Sequence, residues 1–127
     1  MRLLLVCAGG ALGSSARYLV SSWMAGRFGS AFPWGTLTVN VAGSFLIGLI
    51  ATLADDVGSV GPEGRLFLVV GVLGGFTTFS SFSLETLRLA EQNEMVRALW
   101  NVFVSITLSL LAAMLGIMAG RWVEYGP

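Results

Sequence analysis

Residues 66–84 read LFLVVGVLGGFTTFSSFSL, 19 positions without a charge, and the reading of that run decides the fold. A hydrocarbon core about 30 Å thick takes about 20 mostly apolar helical residues to cross, so the run is long enough to span a membrane. Its second half departs from what lipid asks of a helix. Gly74 and Gly75 precede five hydroxyls, Thr77, Thr78, Ser80, Ser81 and Ser83, which are threaded between Phe76, Phe79 and Phe82. Glycine loosens a helical turn and β-branched threonine lowers helix preference, so this stretch predicts a helix broken near 74–78. Non-helical backbone at membrane depth persists only where protein buries it or where it lines a wet cavity. Carbonyls freed at such a break are ligands for a hard cation.

Three further runs have the same character. The expected spans cover about 3–23, interrupted only by Arg17, then 34–54, 66–87 with the break, and 98–120. The connections SSWMAGRFGSAFP, DDVGSVGPEGR and ETLRLAEQNEMVR are short and hold most of the charge. The expectation is an all-α membrane protein, one four-helix transmembrane domain over residues 1–127. The start, Met1-Arg2 followed by LLLVCAGGALGSSA, also resembles a secretory signal, but three later spans make a cleaved signal unnecessary.

Composition agrees. The 127 residues are 55% hydrophobic and 11% charged, against about 25% charged in ordinary soluble domains. Seven arginines balance seven acids, with no lysine and no histidine, so there is no basic face for nucleic acid and no histidine switch near neutrality. The single cysteine, Cys7, has no internal partner. With no histidine, no cysteine pair and no paired carboxylates at membrane depth, the chain carries no catalytic constellation and is expected not to be an enzyme.

Positive charge in short loops orients membrane helices. Four spans place both termini on one side with Arg2, Arg65 and Arg121, while Arg27, Arg88 and Arg97 lie on the other, with Arg17 near the end of the first span. A balance of three against three or four gives insertion almost no direction. Such a chain can build an antiparallel homodimer about a twofold axis in the membrane plane. The small-residue stretches AGGALGSSA and NVAGSFLIG supply surfaces for close helix packing.

Polar residues inside the spans narrow the function. Asn40 lies a third of the way into the second span, where an unpartnered amide costs several kcal/mol among lipid tails. Thr36, Asn40, Gly43 and Ser44 share its face. Asn40 is either an interhelical hydrogen-bond clasp or a donor facing a polar pathway. Ser105 and Ser109 in the fourth span, with Asn101 one turn earlier, make a polar stripe, although serines in membrane helices often bond to their own backbone. Phe79 and Phe82 are three apart, and their ring edges carry the positive end of the quadrupole, which suits a small anion.

Together these strings resemble the Fluc (CrcB) fluoride channels, small four-span proteins of bacterial membranes. The resemblance rests on GALGSSARY at 10–18, PWGTLTVNVAGSFLIG at 33–48, GGFTTFSSFSLET at 74–86 and the serine pair of the fourth span. It implies a fluoride-selective passive channel in the inner (plasma) membrane that exports fluoride and reduces its toxicity. It further implies a dual-topology homodimer with two antiparallel pores. By position, Asn40 would donate to the ion, and Phe79 and Phe82 from different subunits would line the constriction. Ser81, Ser105 and Ser109 would lie near a hydroxyl track, with Thr36, Thr38 and Thr78 less securely placed, and Arg17 would stand near a vestibule. A structural sodium ion at the dyad would be held by the backbone carbonyls of Gly74 and Thr77 from both subunits. Two departures stand out: Asn101 where some members carry tyrosine, and Phe76 in place of leucine. A small dual-topology multidrug exporter is the nearest rival, but it needs a carboxylate that the first span lacks. A membrane scaffold without transport is the other.

Overall fold

Each charge-free run becomes a helix, and each helix outlasts the run that predicted it. A computed structural model describes residues 1–55 and 60–125, all of them helical or in short links. The first two spans are α1 (Arg2–Phe28) and α2 (Trp34–Asp55). The third is composite: α3 (Pro62–Arg65), a π-helical segment (Leu66–Leu73) and α4 (Gly74–Phe76), then, after Thr77 and Thr78, α5 (Phe79–Glu91). The fourth is α6 (Met95–Tyr125). Four helical stretches, Arg2–Phe28, Trp34–Asp55, Pro62–Glu91 and Met95–Val123, are long and apolar enough to cross a membrane.

The helix ends differ from the expected spans because charge marks where lipid stops, not where a helix stops. α1 runs on through eight residues assigned to the first connection, SSWMAGRF, and ends at Gly29, whose φ of +78° takes the chain out of the helix while its N–H still reaches the Ala25 carbonyl at 2.9 Å. Only glycine adopts that conformation without strain. Trp34 then packs on Phe32 and Phe28, with ring centroids 4.7 and 6.1 Å away. The expected 85–97 connection is nearly all helix, reduced to a turn in which Asn93 takes φ +62° and the Glu94 N–H bonds the Leu89 carbonyl at 2.9 Å. Of the expected 55–65 connection, residues 56–59 lie outside the described residues. Across it, the Arg65 guanidinium pairs with the Asp55 carboxylate; both are exposed, which limits such a pair to about 0–1 kcal/mol.

Inside lipid no hydrophobic force draws helices together, so packing rests on close backbone approach. α1 lies along the π segment and α4, α2 lies along α6, and α5 packs on α6, with Phe82 and Leu89 of the one and Ala98 and Asn101 of the other buried. Glycines set these distances. A Cβ on Gly9 would come within 2.5 Å of the Phe67 carbonyl oxygen, and one on Gly13 would run into the Val72 carbonyl. On the other side of the molecule, side chains at Gly48 and Gly116 would strike the backbone of Ala113 and Phe45. Many large apolar side chains, among them Leu3, Leu19, Val96 and Leu110, face outward, where lipid solvates them.

The break in the third span falls inside the expected 74–78, at its threonine end. Gly74 is helical at φ −62° and ψ −35°, and Gly75 also lies inside α4. Thr77 and Thr78 are the extended residues, with ψ of 157° and 114°. Gly75 serves approach to α1: a Cβ there would lie 2.7 Å from the Gly10 carbonyl oxygen and 3.1 Å from the Ser14 nitrogen.

Gly13→Val tests this packing. Overfilling a close contact costs about 1–3 kcal/mol where neighbours can shift, and here the neighbour is backbone. The expected result is a clearly lowered thermal unfolding midpoint in detergent, or loss of monodisperse protein on gel filtration.

Candidate functional site at the helix break

Of the two extended residues in mid-span, Thr77 keeps its N–H on the Leu73 carbonyl at 3.0 Å, whereas the N–H and C=O of Thr78 are both met by one side chain. Asn40 on α2 donates from Nδ2 to the Thr78 carbonyl at 3.0 Å and accepts the Thr78 N–H on Oδ1 at 2.8 Å. The carboxamide thus stands in for a neighbouring peptide. Of the two readings open for Asn40, the clasp is present, and one N–H of its amide remains for another acceptor.

The clasp has a consequence for two carbonyls. In an unbroken helix the Thr78 N–H would bond the Gly74 carbonyl; here it is turned to Asn40. Similarly, the Ser81 N–H that would reach the Thr77 carbonyl bonds the Thr78 hydroxyl at 3.2 Å, capping α5. Gly74 and Thr77 are therefore left with carbonyl oxygens that accept no backbone hydrogen bond across the break. Gly43 permits the arrangement, because a Cβ there would occupy the space of the Thr77 methyl.

A groove of about 360 Å³ opens beside the break. It brings together Asn40, Gly74, Thr77, Thr78, Phe79, Phe82, Ser105 and Ser109, which the sequence had singled out, with Ser44 beside them. The Phe79 and Phe82 rings lie 5.4 Å apart at 44°, and they differ in setting: Phe82 is 8% exposed and Phe79 is 77% exposed. No charged side chain lines the groove.

The hydrogen bonds separate the hydroxyls that keep a free hydrogen from those already engaged. Thr77 and Ser83 donate to the Leu73 and Phe79 carbonyls, each at 2.9 Å. Ser105 donates to Asn101 Oδ1 at 3.2 Å. Ser81 accepts from the Thr78 hydroxyl at 3.1 Å, which leaves its own hydrogen available. Ser109 lines the groove and makes no side-chain hydrogen bond among the described residues. The available donors near the break are thus the second Asn40 N–H, Ser44, Ser81 and Ser109, of which Ser81 lies outside the groove lining.

Other expected residues lie elsewhere. Thr36 lines a second cavity of about 410 Å³ with Glu85, Arg88 and Gln92, and its hydroxyl donates to Glu85 Oε1 at 2.9 Å. Thr38 is two residues from both Thr36 and Asn40, so it points to the opposite side of α2, and it lines neither cavity. Arg17 is half-buried and lines neither cavity.

Residues 4–117 match the family described as CrcB-like protein, Camphor Resistance (CrcB). The chain belongs to the CrcB family. Proteins named fluoride-specific ion channel FluC are similar to it over nearly its whole length. That of Rhizobium meliloti (strain 1021) is 53% identical over 119 residues, covering 94% of this chain and 95% of that one. A counterpart in Thermus thermophilus is 55% identical over 119 residues, 94% and 93% of the two chains. A third, in Rhodospirillum rubrum, is 48% identical over 134 residues and covers 99% of each chain.

In this CrcB chain the sequence reading missed Glu85 and Thr86. Glu85 holds Thr36, and its second oxygen, Oε2, is buried without a partner among the described residues. Thr86 donates to the Phe82 carbonyl at 2.7 Å and accepts from Asn101 at 2.8 Å. The available signal was spacing: both follow Phe82 by three or four residues, on the face that α5 turns inward.

Asn40→Leu tests the clasp. It strands a donor and an acceptor of Thr78, at about 1–3 kcal/mol for each buried group. The expected result is a large drop in unfolding stability and faster amide exchange at Thr78 than at Leu89, read by hydrogen exchange in detergent. Unchanged protection at Thr78 contradicts the clasp.

Proposed function

We propose that the chain is a fluoride-selective passive channel of the bacterial inner (plasma) membrane, which lets fluoride leave the cytoplasm and so reduces its toxicity. One observation carries the reading: a groove at membrane depth that offers N–H and O–H donors at Asn40 and Ser109 beside two phenylalanine rings, with no charged residue in its lining. Fluoride is small and strongly hydrated, so a path for it must replace water with donors. A lysine or arginine there would hold the ion, and conduction needs sites weak enough to release it. The names of the relatives point to the same ion.

In this reading Asn40 plays two parts with one amide, one N–H on Thr78 and the other on the ion. Phe79 and Phe82 turn ring edges to the ion, and Ser81, Ser105 and Ser109 supply hydroxyls along the way. Thr78 fixes the Ser81 hydroxyl. Thr36, with Glu85, belongs to the mouth of the path; Arg17 acts there through its charge, and Thr38 packs behind it.

The assembly we propose is an antiparallel homodimer with two pores, embedded in membrane lipid and with no role for nucleic acid. Its support is that the outward-facing Phe79 and the exposed Gly74 are left uncovered by their own chain, and that arginine gives insertion little direction. The same axis would bring together four carbonyl oxygens, those of Gly74 and Thr77 from each copy. Two neutral oxygens per chain with no backbone partner fit a hard monovalent cation, and sodium is the ion we assign to them, in a structural role.

Purified protein in liposomes loaded with fluoride is expected to release it rapidly while chloride-loaded vesicles retain theirs, read with ion-selective electrodes. Silence from a folded, correctly sized protein overturns the channel reading. Asn40→Asp keeps an acceptor for the Thr78 N–H but places negative charge on the path, so fluoride release should fall at least about tenfold with assembly retained. Reporter fusions at the C-terminus are expected on both sides of the membrane in similar numbers; a single orientation in nearly all molecules rules out dual topology.

A further inference from the structure

Asn101 is 1% exposed and, with Val39, one of the two largest fully buried side chains of the described residues. It lies off the groove, yet it is bonded to a residue that lines it. The chain of bonds has a fixed direction. It ends on the Phe82 backbone carbonyl, which can only accept, so the Thr86 hydroxyl must donate to it at 2.7 Å. The Thr86 oxygen can then only accept from Asn101, so the atom facing it at 2.8 Å is the amide nitrogen. That places Oδ1 on the far side, where the Ser105 hydroxyl, 3.2 Å away, must donate to it. The amide orientation and the Thr86 hydroxyl rotor are thereby fixed.

The result runs against the apparent role of Ser105. It is 6% exposed and lines the groove, but its single hydrogen is directed out of the groove into the carboxamide. A passing anion meets the hydroxyl oxygen, not its hydrogen. To donate to the ion, Ser105 has to give up Asn101.

We infer that Asn101 is a positioning residue of the conduction path: its carboxamide oxygen competes with the permeating anion for the Ser105 hydroxyl hydrogen, and so weakens the ion's hold at that point. This rests on the channel reading given above. A site that binds too well stops conduction, and Asn101 keeps the Ser105 site loose without any charge. Thr86 and the Phe82 carbonyl hold the amide the right way round, which couples the turn carrying Phe82 on α5 to the hydroxyl on α6.

The test is the initial rate of fluoride release from liposomes against internal fluoride concentration, in the wild-type chain, Asn101→Leu, Ser105→Ala and the double variant. Replacing the carboxamide by an apolar group of similar size frees the Ser105 hydrogen for the ion. A hydrogen bond of ordinary net strength corresponds to roughly a two- to tenfold change in affinity. Asn101→Leu is therefore expected to lower the half-saturating fluoride concentration by roughly two- to tenfold and to lower the maximal rate with it. In the Ser105→Ala background the same substitution is expected to leave the half-saturating concentration unchanged.

An equal shift in both backgrounds overturns the inference, because the effect then does not run through Ser105. So does an unshifted half-saturating concentration in an Asn101→Leu protein whose only change is a lower unfolding temperature. If the leucine protein does not assemble, Asn101→Met carries the same expectation. A wild-type chain that releases no fluoride overturns the channel reading and this inference together, whereas wild-type release with additive variants overturns this inference alone.

Discussion

The structure depends on one bidentate contact, between the carboxamide of Asn40 and the peptide of Thr78. A helix cannot simply be opened inside a membrane, because each stranded N–H or C=O costs several kcal/mol where no water reaches it. Asn40 removes that cost for the one residue whose groups point away from the helix axis. The Thr78 hydroxyl then caps the next helix on the Ser81 N–H. With both donors diverted, the carbonyls of Gly74 and Thr77 are released and α5 starts on a new line. The directions of Phe79 and Phe82, the groove and the exposed oxygen atoms all follow from an amide on a neighbouring span.

That amide has to be held still, and the close helix pairs do so. α2, which carries Asn40, is drawn onto α6 at Gly48 and Gly116, so Asn40 and the Ser105–Ser109 stripe form one rigid wall. The other wall, the π segment with α4, is fixed to α1 through Gly9, Gly13 and Gly75. Gly43 is where the two walls touch at the break, against the methyl group of Thr77. Most glycines in this chain thus act by what they lack rather than by how they bend. A membrane helix pair gains little from burying more leucine, since lipid solvates it equally well, and gains much from letting backbones meet.

That use of glycine accounts for what could be read from the amino-acid sequence and what could not. The four spans were legible because an uncharged run of membrane length is seldom anything but a span. The ends of the helices were not, since a helix crossing into water loses its apolar pattern without losing its hydrogen bonds; hence α1 reaches Phe28 and α5 reaches Glu91. A break near 74–78 was legible from its glycines and threonines together, but not which of them leave the helix, and it is the threonines that do. Gly74-Gly75 suggests flexibility or close packing equally well, and only the facing Gly10 and Ser14 decide between them. The groove residues were largely legible because polar groups are conspicuous in lipid. Glu85 escaped notice because it sits where charge was expected, beyond the apolar run, and Thr36, 49 positions earlier, gives no local hint that it holds the carboxylate.

Breaking one helix also creates two ends of opposite sign in the same place. The C-terminal end of α4 presents carbonyl oxygens, and the N-terminal end of α5 presents N–H groups, each carrying part of a helix dipole. The first suits a cation and the second an anion. A single interruption in an uncharged span therefore produces both kinds of surface without introducing an ionisable residue, which lipid would penalise and which would hold an ion too tightly to pass. The side chains around the break sort themselves accordingly: the groups that keep a free hydrogen, Asn40 and Ser81, are at or beyond the start of α5 or face it, while Thr77, on the α4 side, has turned its hydroxyl back onto the Leu73 carbonyl. The polarity of the site is set by the backbone, and the side chains follow it.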